Sequence, residues 1–408
     1  MDVKPGYKQT EVGVIPEDWQ LRPMLSVVRV AHGQVDPKHE PYRSMILVAP
    51  DHIESGSGRL LKKETAGDQR AISGKYAFSV NDIVYSKIRP YLRKAILSDF
   101  EGLCSADMYP LKPQVDISSG FVFAVILGYH FSKYAESVSV RSGMPKINRL
   151  ELAEYVMALP PTKAEQEAIA AALSDADALI ESLEQLIAKK RNIKQGAMQE
   201  LLTGKKRLPG FSGEWKEVRM RDLLQLNATY GIVTAGRFIQ NGIKMLRGGD
   251  IDDGHIATDL PMVAHEKSNE YSRTKLEKDD VVIALVGYPG SSAKVPDELI
   301  GSNISRAVGL LRCNEQVVPD FLVCFLNSTD GRNMVLAPSA GSAQKVVNLA
   351  ALNKLQFYIP PVREQAAIAT VLSDMDAELS ALESKLSKAR QIKQGMMQEL
   401  LTGRIRLI

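Results

Sequence analysis

The 408 residues are 45% hydrophobic and 24% charged, which supplies at least one large core, suggests two or more domains and excludes a disordered or fibrous chain. Lys and Arg number 51 against 48 Asp and Glu, and the resulting net charge of +3 by itself argues for neither nucleic acid nor an anionic membrane. Cys104, Cys313 and Cys324 have no CxxC spacing, the longest apolar run (Phe121 to Leu127) is far short of a bilayer span, and the N-terminus has no signal-peptide core. A reducing cytoplasmic setting without a membrane contact is expected.

Residues 1–159 mix short β-type runs (Ser44 to Val48, Asp82 to Tyr85) with Gly, Pro and Ser punctuation and an apolar stretch at Phe121 that reads as a buried helix. Between Tyr85 and Lys94 the chain carries Lys87, Arg89, Arg93 and Lys94 with no acid, interleaved with Tyr85 and Tyr91 and bent by Pro90. Arginine can fork onto guanine and lysine can neutralise phosphate, so Lys87, Arg89, Tyr91, Arg93 and Lys94 are candidate DNA contacts, although a solvated basic loop has the same composition. A polar loop from Arg141 to Lys146 precedes the last strand before the first long helix, and Arg141 and Lys146 join the candidates.

Residues 160–208 read as that helix. Ile169, Leu173, Ala176, Ile180, Leu183 and Ile187 recur at spacings of 4 and 3, the period of a coiled-coil seam. Pro160-Pro161 stops any helix before it and Gly204 is a plausible C-terminal cap. Residues 209–359 form a second mixed segment, with a strand from Asp280, an apolar stretch at Phe321 and a loop from Gly341 to Lys345. Its candidate contacts are Arg247, Tyr288, Lys294, Ser342 and Lys345; the stretch from Val286 to Lys294 keeps Tyr288 and Lys294 but has no arginine. Residues 360–408 are again helical, with Ile368, Leu372, Met375, Leu379, Leu382 and Leu386 on the seam and Gly403 at the end.

The two helical segments are copies of one another. Residues 165–204 match 364–403 at an offset of 199 with 25 of the 40 positions identical, and IKQGAMQELLTG returns as IKQGMMQELLTG. The register extends upstream, with Trp19 and Trp215 at an offset of 196, Asp82 and Asp280 at 198, and Asn148 and Asn348 at 200. The fold predicted is α+β: two globular parts alternating with two long helices, each roughly 60 Å at 1.5 Å per residue, that pair as an antiparallel coiled coil. Ile169, Leu173, Ile180, Leu183 and Ile187 are expected to meet Ile368, Leu372, Leu379, Leu382 and Leu386. Gly196 and Gly395 within the pattern suggest either a close helix crossing or a loosened last turn.

Motifs for chemistry are missing. The Pro-Pro pairs follow Leu159 and Ile359 and so lack the Asp/Asn of an adenine methyltransferase loop, while Lys294 is outside the Gly-Lys-Ser/Thr context of a P-loop. The six histidines have no metal-ligand spacing, and there is no Gly-x-Ser-x-Gly elbow. No catalytic residue, metal or cofactor is expected in this chain.

Over its whole length, and most specifically in PPxxEQxxIAxxL and KQGxMQELLTG, the sequence resembles the specificity (S) subunits of type I restriction-modification systems. That resemblance implies two target-recognition domains, each reading one half of an asymmetric bipartite DNA target, with the helices as spacer and docking surface for two modification (M) subunits. It also implies restriction (R) subunits, and S-adenosylmethionine, ATP and Mg held by those partners. A stand-alone DNA-binding regulator or a coiled-coil adaptor is the alternative from another class.

Overall fold

A computed structural model describes residues 4–140, 143–339 and 345–407. They form two compact units, one of residues 1–185 with 384–408 and the other of residues 186–383. Each unit therefore takes one globular part, the first half of one long helix and the last half of the other. The units share the order of a four-stranded sheet and a parallel strand pair beside it, but the third strand of the smaller sheet joins opposite partners, Tyr76–Phe78 pairing with Gly102–Cys104 and Met262–Val263 with Ile243–Leu246.

In the first unit an antiparallel sheet runs in the order Val28–Val30, Met108–Pro113, Ile83–Ser86, Ala95–Leu97. In the second the order is Thr229–Tyr230, Val308–Leu311, Val281–Ala284, Ser292–Lys294. The strand Ile83–Ser86 is buried throughout, as is Val281–Ala284, in agreement with central positions in their sheets. A three-stranded sheet stands beside each, built on a parallel pair: Ile46–Val48 with Gly102–Cys104 in one unit, Ile243–Leu246 with Asn303–Ile304 in the other. A two-stranded ribbon ties the start of each globular part to its end, Gln20–Pro23 to Val156–Leu159 and Lys216–Arg219 to Gln356–Ile359. The apolar stretches are helices, Ser119–Leu127 and Pro319–Asn327, with Phe121 and Phe321 fully buried. The loops before the ribbons lead first into short helices, Arg149–Glu154 and Leu349–Lys354, and only then into the last strands. Asn148 and Asn348 cap them, the first side chain accepting from Leu150 N and Glu151 N and the second from Ala351 N.

The central helix spans Lys163–Leu201 and the C-terminal helix Val362–Leu400. Within the first unit Asp177 pairs with Lys393 and Glu184 with Arg390 (2.7 Å). Within the second, Asp376 pairs with Lys194 and Glu383 with Arg191 (2.6 Å). In each unit the partner moves back along one helix as the residue moves forward along the other, Asp177 then Glu184 meeting Lys393 then Arg390, so the helices run antiparallel. These are the same four residues of the repeat used twice. Ile169, Leu173, Ile187, Ile368, Leu372 and Leu379 are buried, and Ile180, Leu183, Leu382 and Leu386 are half-buried.

The helix ends belong to the cores of the globular parts. Ile169, Leu173 and Leu400 join the buried cluster around Trp19 and Phe121, and Ile368, Leu372, Leu201 and Leu202 join the one around Phe321. A Cβ at Gly120 would come within 2.8 Å of Ala170, which is how closely the Phe121 helix approaches the central helix. Gly204 and Gly403 take the left-handed conformation (φ +70° and +69°) that ends each helix, and each lies against a tryptophan, Trp215 and Trp19 respectively. Gly196 and Gly395 mark neither of the features read from the sequence. A Cβ at either would meet nothing within 4 Å, so there is no close crossing there, and the helices continue regularly past both.

Candidate nucleic-acid interface

The basic cluster of the first unit follows the strand Ile83–Ser86 and turns through Pro90–Leu92, with Arg89 and Arg93 flanking that turn in left-handed conformation (φ +48° and +47°). Arg89, Tyr91 and Arg93 are exposed and Lys87 is half-buried. Lys94 is engaged elsewhere, its Nζ donating to the carbonyl of Pro50 at 2.7 Å. The backbone joins this segment to the second candidate loop: Arg89 N donates to Pro145 O (2.8 Å) and Ile147 N to Lys87 O (2.9 Å), so that exposed Lys146 lies across from Ile88. Arg141 lies outside the described residues.

The same end of the sheet, at its two central strands, carries three residues that sequence reasoning passed over. Tyr109, on the neighbouring strand, lies under two cations, with Lys87 Nζ 5.3 Å and the Arg149 guanidinium 5.7 Å from the ring centroid. Arg149 also donates to Ala31 O (2.8 Å) and to Nδ1 of His32 (2.7 Å). Burial pushes the Tyr109 hydroxyl up from its ordinary value, with Arg149 pulling the other way, so the ring stays neutral beneath its cations at physiological pH. Lys87, Arg89, Arg93, Lys146 and Arg149 form no ion pair among the described residues. Lys87, Arg89, Lys146 and Arg149, joined by the backbone bridge, make a surface suited to polyanion contact, while the Arg93 guanidinium lies beside Gly56 in the lining of the cleft described below. Arg149 was legible in part, because Asn148 and Glu151 spell a helix-capping box that puts residue 149 on an exposed first turn. Tyr109 was not, since strand pairing brings it there.

In the second unit Tyr288 and Lys345 are exposed. Lys294 is paired with Asp320 (2.7 Å), and Arg247 holds Asp250 with two hydrogen bonds of 3.0 and 2.8 Å. Both are thus occupied by acids of their own unit. Ser342 lies outside the described residues.

Each unit also contains a cleft between its globular part and the paired helices, of about 1170 Å³ in the first and about 400 Å³ in the second. The helical walls are repeats of one another: Lys393, Gln394, Met397 and Gln398 in one, Lys194, Gln195, Met198 and Gln199 in the other. The opposite walls differ, Tyr129 and His130 standing where the second unit has Thr329 and Asp330. Among the described residues no group of three or more His, Cys, Asp or Glu could hold a metal ion, and no helix is long and apolar enough to cross a membrane.

The two-part plan has counterparts among known proteins. Residues 16–190 and 212–391 each match the type I restriction modification DNA specificity domain. The chain belongs to that family. A specificity subunit of the type I restriction enzyme EcoDI of Escherichia coli is 30% identical over 213 residues, 52% of this chain and 46% of that protein, so the match spans about half of that relative's length. The putative type I restriction enzyme MjaX specificity subunit of Methanocaldococcus jannaschii is 23% identical over 98% of this chain and 97% of its own. The solved S subunit of a type I restriction-modification system from M. genitalium superposes with a TM-score of 0.59 at 16% identity, covering 98% of this chain and 99% of that one, which is a likeness of fold.

Proposed function

We propose that this chain is the DNA-specificity subunit of a type I restriction-modification complex and binds an asymmetric bipartite target, one half-site per globular part. The observation that carries this reading is the repeat itself: the same four-stranded sheet order used twice, with different side chains at the same end of its central strands. A reader of two unlike half-sites needs that combination. In the first part Lys87, Lys146 and Arg149 supply phosphate contacts that set position, while Arg89 and Tyr91 on the exposed turn reach base edges. Lys94, Arg247 and Lys294 act within their own units, holding the loops from which their neighbours project.

Adenine methylation and ATP-dependent cleavage fall to partners, two M subunits and the R subunits, which hold S-adenosylmethionine, ATP and Mg. The repeated helical walls of the two clefts support a pair of identical partners, because the same side chains at the same spacing accept the same surface twice.

The test is DNA binding by the chain assembled with its M subunit, across several salt concentrations. Lys87→Ala and Arg149→Ala should each weaken binding to all sequences and flatten the salt dependence by about one unit of slope. Arg89→Ala should cost about 1–3 kcal/mol on the cognate target alone. Wild-type binding by all three variants at every salt concentration would remove this end of the sheet from the interface. Methylation by the isolated chain would overturn the assignment as a whole.

A further inference from the structure

The end of the sheet that carries the cations in the first unit has a counterpart in the second that can be aligned position by position. Lys87 N donates to Asp107 O (3.0 Å) and Ile147 N to Lys87 O (2.9 Å); in the second unit Leu285 N donates to Ala307 O (2.8 Å) and Val347 N to Leu285 O (3.0 Å). Tyr109 then corresponds to Gly309, Lys146 to Val346 and Arg149 to Leu349, all at an offset of 200, while His32 corresponds to Tyr230, which pairs with Gly309. Lys87, Lys146 and Arg149 are thus replaced by Leu285, Val346 and Leu349.

The stack over Tyr109 is replaced by packing. A Cβ on Gly309 would meet Ile283 at 2.9 Å and Leu285 and Leu349 at 3.2 Å each, so apolar side chains, the two leucines among them, close over the place that the tyrosine ring takes in the first unit. Around them this end of the sheet exposes apolar and aromatic side chains: Tyr230 is 50% exposed, Tyr288 62%, Val286 38% and Val346 37%. Arg306 and Lys345, both exposed, flank this patch, and Arg306 forms no ion pair among the described residues. An apolar centre with cations at its margin suits a duplex, whose phosphates lie on either side of a groove in which thymine is the base with a methyl group.

We infer that the second globular part reads its half-site through apolar contact of Tyr230, Val286, Tyr288 and Val346 with thymine methyl groups, where the first relies on cations. The inference rests on the reading that both parts bind DNA at this end of the sheet. Replacing thymine by uracil removes the methyl and leaves every hydrogen-bonding group of the base pair in place.

The experiment measures the affinity of the chain with its M subunit for duplexes in which uracil replaces thymine in one half-site at a time, the half-sites being assigned by exchanging residues 209–359 for those of a relative. Uracil in the half-site of the second part should weaken binding about fourfold for each contacted methyl, and uracil in the other half-site should leave it unchanged. The double variant Val286→Ala, Val346→Ala should bind the thymine and uracil duplexes more nearly alike. Equal sensitivity of the two half-sites in the wild-type complex, a comparison that needs no variant, would overturn the inference, as would undiminished discrimination by the double variant. Failure of the complex to prefer any sequence would take down the DNA reading, and this inference with it.

Discussion

Gln365 is 1% exposed and uses both ends of its amide: Oε1 accepts from Val318 N (2.8 Å), and Nε2 donates to Gln316 O (3.0 Å) and Pro360 O (2.9 Å). Gln166 does the same in the first unit, accepting from Ser118 N (2.9 Å) and donating to Pro160 O (3.2 Å). Each amide ties the start of a long helix to the loop before the buried helix of its globular part. Gln365→Ala should therefore leave buried backbone groups unpaired and destabilise the second unit by about 1–3 kcal/mol. The chain has one tryptophan per unit, so Trp215 fluorescence in a Trp19→Phe background reports urea unfolding of the second unit alone, and an unchanged midpoint would refute the role. The repeated Glu-Gln pair was legible in the sequence as part of the copy, but its task was not, because the partners that tie it to the globular part, Ser118 N in one unit and Val318 N and Gln316 O in the other, lie nearly 50 positions away. Burial likewise decides the cysteines, pushing the Cys313 and Cys324 thiols up to about 12 and about 11 and leaving them poor nucleophiles at neutral pH.

At the scale of the element, the helices owe their place to two different surfaces. Their outer halves bury Ile169, Leu173, Ile368 and Leu372 in the cores of the globular parts, while between them ion pairs and half-buried leucines hold helix to helix. The period of 3.5 was visible in the sequence; that the first three turns or so belong to other cores was not, since an apolar stripe does not say what covers it. Gly196 and Gly395 gave the opposite lesson, as glycines whose expected contact is absent. Each lies in regular helix with open space beside it. Gly196→Ala and Gly395→Ala should each stabilise the free chain, by up to about 1 kcal/mol, through the lower helix propensity of glycine. Thermal unfolding of the two variants checks this, and destabilisation would mean that the backbone there needs glycine.

At the scale of the molecule, the compact units cut across the divisions that the sequence suggests, because each draws on both helices. A turn inserted in the central helix alone would shift one helix against its partner. Four residues inserted after Gln185 together with four after Glu383 add one turn to both, and the pairs Asp177 with Lys393 and Asp376 with Lys194 keep their register within each unit. If the helices set the spacing of the half-sites, the added length of about 6 Å should lengthen the non-specific gap by at most about two base pairs, at 3.4 Å each, and leave both half-sites unchanged. Methylome mapping of cells expressing the variant with its M subunit reads this directly. An unchanged gap with full activity would leave the helices as a docking surface only.

The sequence by itself determined the tandem plan, the two long helices, their likeness to a known family and the absence of the usual catalytic motifs. These are properties of identity, period and spacing along one dimension. Only the tertiary structure decided which cations share a surface. Lys87, Lys146, Tyr109 and Arg149 come together because the strand Met108–Pro113 pairs with Ile83–Ser86 and a backbone bridge brings Lys146 alongside Ile88. The same pairing put Gly309 and two leucines at the matching place in the second unit, and the fold gave Lys94, Lys294 and Arg247 partners within their own units. Such neighbours depend on long-range strand register, which no local pattern of residues records.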